Sequence, residues 1–165
     1  MPVIICWFEQ KTKKECCFKL STPVGILNVY QVDSMVVKTE WNLESTEALT
    51  DVSEQCKSIL HYLNNPATDL NLNLLKQGSD FRNKVWGEIS KISPGQVLSY
   101  SELARQIDSG ARAVANACRD NPFPGIIPCH RVISVSGLGG YMGQTTGRAL
   151  EIKKQLLAIE SVVII

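Results

Sequence analysis

The chain carries only two histidines, His61 and His130, and nowhere sets two cysteines in Cys-x-x-Cys spacing. A tetrahedral zinc site draws on those residue types at short separations, so no structural metal is expected. Its six cysteines include the adjacent pair Cys16-Cys17, while Cys6, Cys56, Cys118 and Cys129 stand apart without a paired framework. That scatter argues for reduced thiols and against a disulfide-stapled secreted scaffold. The first apolar run, Val3 to Phe8, is too short for a signal peptide and has no basic residues before it, and no later stretch approaches membrane-spanning length. A soluble, intracellular protein is the expectation. Arginine is absent from residues 1–78: all six (Arg82, Arg105, Arg112, Arg119, Arg131, Arg148) lie beyond. Seven Lys/Arg face nine Asp/Glu in that first half, against ten and seven in residues 79–165. A polyanion would therefore meet the second half, although charge alone fits a merely solvated face better.

What is present supports a packed core, because 165 residues at 44% hydrophobic suffice for one large or two small domains. Val3–Phe8, Cys16–Leu20, Ile26–Val32 and Met35–Trp41 are β-branched or aromatic runs broken by turn residues, which predicts an antiparallel meander. Leu49, Val52, Cys56, Ile59 and Leu63 recur at helical spacing up to Asn64-Asn65-Pro66, so one helix should pack on that sheet. Leu70, Leu72 and Leu74 alternate with polar residues in an extended connector, and Gly78-Ser79 marks the boundary.

Beyond it the pattern turns helical. Phe81, Val85 and Ile89 form an apolar face behind a Ser79 cap, and Pro94-Gly95 ends that element. Ser99-x-x-Glu102 is a capping box for a helix of about 101–107. A further helix runs from Ala111 through Arg119 until Asn121-Pro122 stops it. Two short helices joined by a Gly-containing turn fit a helix-turn-helix, and equally a packing hairpin of two core helices. The expected fold is α+β: an antiparallel sheet with a packed helix in residues 1–78, and an all-α, winged-helix-like helix-turn-helix domain in 79–165.

Ala111, Ala113, Ala115 and Ala117 leave the last of these helices nearly bare, with Arg112 as the long exception. A dressed helix is about 10–12 Å across and the minor groove only about 6 Å wide, so a stripped helix suits entry there. High helix propensity explains the alanines as well.

Asn121 to Arg131 holds three prolines, then Cys129 directly before the only histidine of the second half. A free thiol titrates near ~8.5 and attacks as thiolate. It therefore needs a base or a nearby positive charge, and His130 and Arg131 offer one of each. Neighbours on an extended chain point to opposite sides, so His130 would reach Cys129 through a water or after a local bend. A lone Cys is more commonly a small buried hydrophobe.

Pro128-Cys129-His130-Arg131-Val132 resembles the active-site signature of the O6-alkylguanine-DNA alkyltransferases, also called methylated-DNA–protein-cysteine methyltransferases. The likeness extends over about residues 80–160, through Gly95 to Tyr100, Ala111 to Val114, Arg119 to Pro122, Gly139-Gly140-Tyr141 and Leu156 to Glu160. Residues 1–78 are similar only in arrangement. The resemblance implies that Cys129 accepts the alkyl group, that His130 takes its proton through a water, and that Glu160 orients His130. It further implies that Asn121 braces the turn before the Cys loop, that Tyr100 helps rotate the nucleotide and assists the leaving guanine, and that Lys153 is a pocket lysine. The carbonyls of Cys129 and Val132 would accept from the guanine amine, with Pro124, Tyr141, Met142 and Gly143 in the pocket. Arg112 would fill the gap left by the extruded base, and Ala111, Ala113, Ser99, Tyr100, Arg119 and Asn116 would meet DNA.

The implied partner is double-stranded DNA carrying O6-alkylguanine, bound in the minor groove by a monomer that touches no membrane. Its compartment would be nuclear in a eukaryotic cell and cytoplasmic otherwise. Nothing in the sequence offers a second nucleophile to cleave the thioether, so the protein acts once and needs no cofactor. Two positions depart from the family: Met142 stands where several relatives carry Ser, and Asn116 where Gly is frequent. Relatives with structural zinc use Cys and His in their first part, and no histidine lies near Cys6 and Cys16.

Overall fold

A computed structural model describes residues 3–8, 15–44, 47 and 52–164. The chain divides into two units, Met1–Gln77 and Gly78–Ile165.

In the first, five strands form one sheet in the order β1-β5-β4-β3-β2. They are β1 (Val3–Phe8), β2 (Cys16–Thr22), β3 (Gly25–Val32), β4 (Met35–Asn42) and β5 (Leu70–Leu75), with α1 (Glu54–Asn64) between the last two. The expected meander holds for β2, β3 and β4, which pair antiparallel. β1 departs from it. That strand lies at the far edge, parallel to β5 in register Val3↔Leu70.

The reason is the crossover through α1, which returns the chain parallel to β4. Leu70 to Leu75 is thus a strand and no connector. Leu70, Leu72 and Leu74 are buried between more open Asn71 and Asn73, the alternation of a half-buried strand. The helix starts later than periodicity implied: Ser53 Oγ accepts from Cys56 N at 3.2 Å and caps it, so Val52 precedes it. Leu49 lies outside the described residues.

In the second unit, α2 (Asp80–Ile89) is capped by Ser79, and it buries Val85, Trp86 and Ile89. Phe81, expected on that face, is 37% exposed. The Trp86 indole instead donates to Ala117 O at 2.8 Å, tying α2 to α4 (Ala111–Arg119). Between them α3 (Tyr100–Gln106) carries the expected capping box, with Ser99 Oγ and Glu102 exchanging bonds of 3.1 and 2.7 Å. The unit is not wholly helical. β6 (Leu98–Ser99) pairs parallel with β7 (Val132–Ile133), which satisfies backbone groups where the chain leaves the Cys loop. A last helix, α5 (Arg148–Ile159), buries Ala149, Ile152, Lys153, Leu156 and Leu157 at helical spacing.

Candidate active site

The segment from Asn121 to Arg131 is held from both ends by one side chain. Asn121 Oδ1 accepts from Phe123 N at 2.9 Å, an Asx turn, while its Nδ2 donates to Ile127 O at 3.0 Å. The second Nδ2 hydrogen reaches Cys129 Sγ at 3.1 Å. Phe123, Ile126 and Ile127 anchor the loop with no exposed surface. Pro128 sits at φ −79 and ψ 60 while Cys129 N donates to Ile127 O at 2.7 Å, an inverse γ-turn. Cys129–Arg131 then forms a single 3-10 turn. This is the local bend that an extended chain would have lacked.

The turn sends the three side chains different ways. Cys129, 5% exposed, faces a cavity of about 220 Å³. His130 points away from solvent and bonds Glu160 Oε1 through Nε2 at 3.0 Å. Arg131 was expected to lend the thiol positive charge, and it does not. Its Nε and Nη2 donate to Glu160 at 2.6 to 3.1 Å, and Nη1 donates to Ile92 O at 2.7 Å. The sulfur's favourable charge comes from Lys153, completely buried, whose Nζ donates to Val132 O at 2.7 Å and Gly140 O at 2.9 Å.

These contacts fix protonation states. Burial pushes the Glu160 carboxyl up, but the hydrogen bonds and charges of His130 and Arg131 outweigh it and bring it down to about 2. Burial holds the His130 imidazole below its ordinary value against the pull of Glu160, so the ring is neutral. An ionised carboxylate can only accept, so Nε2 carries the proton and Nδ1 presents a lone pair. That Nδ1 is buried without a hydrogen-bond partner among the described residues. Burial raises the Cys129 thiol, opposed by the Asn121 bond and the Lys153 charge. Lys153 itself is drawn down to about 8 by burial.

Of the expected pocket residues, Tyr141, Met142 and Gly143 line the cavity with Tyr100, Asn116 and Arg119. Val132 and Pro124 do not: both are buried, and the Val132 carbonyl accepts one bond, from Lys153. Asn121, His130, Glu160 and Lys153 are not in the cavity lining; Asn121 bonds the sulfur and Lys153 acts on it by charge. Tyr100 remains a phenol, since burial and the neighbouring Cys118 and Cys129 raise it. Its ring packs closely on Gly139, where a Cβ would stand 3.0 Å away and the backbone holds φ 72. Sequence reasoning missed Cys118, which lines the same cavity. The signal was there, because Ala115, Cys118 and Arg119 share one face at helical spacing.

The outer face of α4 presents Arg112, Ala113, Asn116 and Arg119, with Ala111 and Ala115 partly open. Ala117 is buried and adds nothing to that face. Ser99, expected at the DNA surface, is 7% exposed with its hydroxyl committed to capping α3. Arg112 has no ion pair or hydrogen bond among the described residues, whereas Arg119 Nε donates to Asp120 at 3.3 Å. No group of three metal-ligating side chains occurs among the described residues, and no described helix is long and apolar enough to cross a membrane.

Residues 80–162 match the family described as 6-O-methylguanine DNA methyltransferase, DNA binding domain. The chain is 31% identical to a methylated-DNA–protein-cysteine methyltransferase of Sulfolobus acidocaldarius, covering 86% of this chain and 90% of that protein. It is 32% identical to the same-named protein of Archaeoglobus fulgidus, covering 82% and 92% respectively. Its structure is similar to the crystal structure of Mycobacterium tuberculosis OGT in complex with DNA, with TM-score 0.71 and 30% identity over 88% of this chain and 92% of that one.

Proposed function

Since the chain belongs to the methylated-DNA–protein-cysteine methyltransferase family, we propose that Cys129 is its acceptor sulfur and that the groups around it divide the work of one irreversible transfer. The protein binds DNA and repairs it by moving an alkyl group onto its own cysteine. The observation that carries the assignment of Cys129 is its placement: a thiol facing a cavity, bonded by Asn121 and favoured by the Lys153 charge, next in the chain to a neutral His130 held by Glu160.

His130 Nδ1 takes the thiol proton through a bridging water, and Glu160 stabilises the imidazolium that results. The Asn121 N–H and the Lys153 ammonium stabilise the thiolate in a site where burial alone would keep it protonated. Sulfur attacks the alkyl carbon of O6-alkylguanine, the carbon–oxygen bond breaks, and its electron pair goes to the guanine. The Tyr100 phenol assists that departure by donating toward the oxygen. The thioether left on Cys129 would have to expel an alkyl thiolate, too poor a leaving group for release, so each molecule acts once, without a cofactor.

The target carbon lies within the duplex, so the nucleotide must be turned out at a cost of a few kcal/mol. We place α4 in the minor groove, where Ala113 permits close approach and Asn116 and Arg119 reach the backbone. Arg112, unpaired and exposed at the start of α4, occupies the vacated stack. The active species is a monomer, working wherever the cell keeps its DNA: the nucleus of a eukaryote, the cytoplasm otherwise.

The test is intact-mass measurement after mixing with duplex DNA that holds O6-methylguanine. One methyl per molecule is expected, located on Cys129 and abolished by Cys129→Ala. Continued turnover, or unchanged mass with intact DNA binding, overturns the reading.

A further inference from the structure

In the second unit the transfer leaves one described buried sulfur unused. Cys118 is 8% exposed in the last turn of α4 and lines the same cavity as Cys129. Both are fixed by the same residue, because Asn121 N donates to Cys118 O at 3.3 Å while Asn121 Nδ2 donates to Cys129 Sγ at 3.1 Å. The other described cysteines, Cys16, Cys17 and Cys56, belong to the first unit.

From this shared cavity we propose that Cys118 is a resolving thiol, which captures Cys129 as a Cys118–Cys129 disulfide when a peroxide oxidises the acceptor sulfur. Cys129 attacks the peroxide, so that an S–O bond forms, the O–O bond breaks and water leaves, giving a sulfenic acid. Cys118 sulfur then displaces the hydroxyl as a second water, and an S–S bond forms. The two thiols lose two electrons and two protons in all, and the peroxide takes up both.

The division of roles follows from surroundings. Cys129 has the Asn121 N–H and the Lys153 ammonium to favour its thiolate, while Cys118 has no hydrogen bond to its sulfur and burial holds it strongly protonated. A thiolate at Cys129 also raises Cys118, so the pair ionises one at a time, with Cys129 first. The consequence suits a protein that spends its sulfur once. A sulfenic acid left alone proceeds to sulfinic acid, which ordinary thiols do not reverse, whereas a disulfide is reduced and the acceptor returns.

The whole chain is treated with hydrogen peroxide and no DNA, its remaining thiols are blocked, and it is digested with trypsin. Cleavage after Arg112, Arg119 and Arg131 places the two cysteines in separate peptides, Ala113–Arg119 and Asp120–Arg131. A disulfide demands Cβ atoms about 3.5–4.5 Å apart, so a linked pair reports the approach of α4 to the Cys loop directly. The expected result is that linked pair, removed by dithiothreitol, with most of the peroxide-lost transfer restored. For Cys118→Ser, compared with its own untreated sample, dithiothreitol should restore less than about a tenth, with sulfinic acid on Cys129. Oxidised Cys129 without the linked peptides overturns the proposal, as does equal recovery in Cys118→Ser. The peptide readout needs no DNA, so it stands or falls separately from the transfer assay.

Discussion

Glu160 Oε1 accepts the Nε2–H of His130 at 3.0 Å, and the carboxylate that does so is itself only 3% exposed. The same side chain balances the buried Arg131 guanidinium. It therefore sets the imidazole tautomer and neutralises a charge that could not be buried alone. Glu160→Gln should slow single-turnover transfer by about a hundredfold or more through loss of the oriented base. It should also destabilise the fold by about 3–5 kcal/mol, because the buried Arg131 guanidinium loses its counter-charge. Transfer kinetics and urea unfolding measure the two effects. Wild-type stability with slowed chemistry would mean that the carboxylate serves His130 alone.

Acid should unfold the protein in two stages. His130 is held below its ordinary 6.5, so the unfolded chain takes a proton that the folded one refuses, and stability declines as pH falls below that value. Glu160 is brought from 4.5 down to about 2, so its contribution is complete above 4.5 and is lost as pH falls toward 2. Both slopes have one sign: stability rises with pH. Urea midpoints measured between neutrality and strong acid should show the first decline flattened in His130→Gln and the second in Glu160→Gln.

Asn121→Ala removes three bonds at once: to Phe123 N, Ile127 O and Cys129 Sγ. A stability loss of about 1–3 kcal/mol is expected from the unmet backbone groups. The thiol should also titrate higher, since its one side-chain donor is gone. Thiolate absorbance against pH should move upward, and the rate profile with it. An unmoved titration would show that Lys153 alone sets the sulfur's charge.

Arg112→Ala separates binding from chemistry. Duplex transfer should fall about tenfold or more, since the extruded base leaves a gap costing a few kcal/mol to hold open. Transfer from free O6-methylguanine should be unchanged. The slope of log affinity against log salt should shrink by about 1 if the guanidinium also meets a phosphate.

Met142 adopts φ 52 in the cavity wall, a left-handed conformation that costs a side chain about 1–2 kcal/mol. Met142→Gly should stabilise the fold by up to about 1 kcal/mol and admit O6-benzylguanine faster by enlarging the cavity. Thermal unfolding and benzyl-transfer rates check this. Slower benzyl transfer would mean that the thioether supports the ring instead of obstructing it.

Locally encoded features were the legible ones. The Ser99–Glu102 box and the span of α4 depend on residues within a few positions, and the structure places them where spacing predicted. The position of β1 depends on a partner strand 67 residues away, and no local pattern says which edge it will join. The Arg131–Glu160 bond eluded reading for the same reason, being 29 residues long in sequence. Without it, a cation next to a cysteine looks like an electrostatic aid. Two other cases differ: the alternation of Leu70, Leu72 and Leu74 is visible in the chain but fits an extended connector as well as a strand, and the helical spacing of residues 149 to 157 is present without having been assigned an element.

The short pairing of β6 with β7 ties Leu98 to Val132 and Ser99 to Ile133. Ser99 is also the cap from which α3 departs, and Val132 follows the nucleophile by three positions. Root and reagent are thereby clamped to a common fulcrum. Any force on the start of α3 is therefore borne by the same two-residue pairing that holds the chain just after the sulfur, so seating and aim share one support.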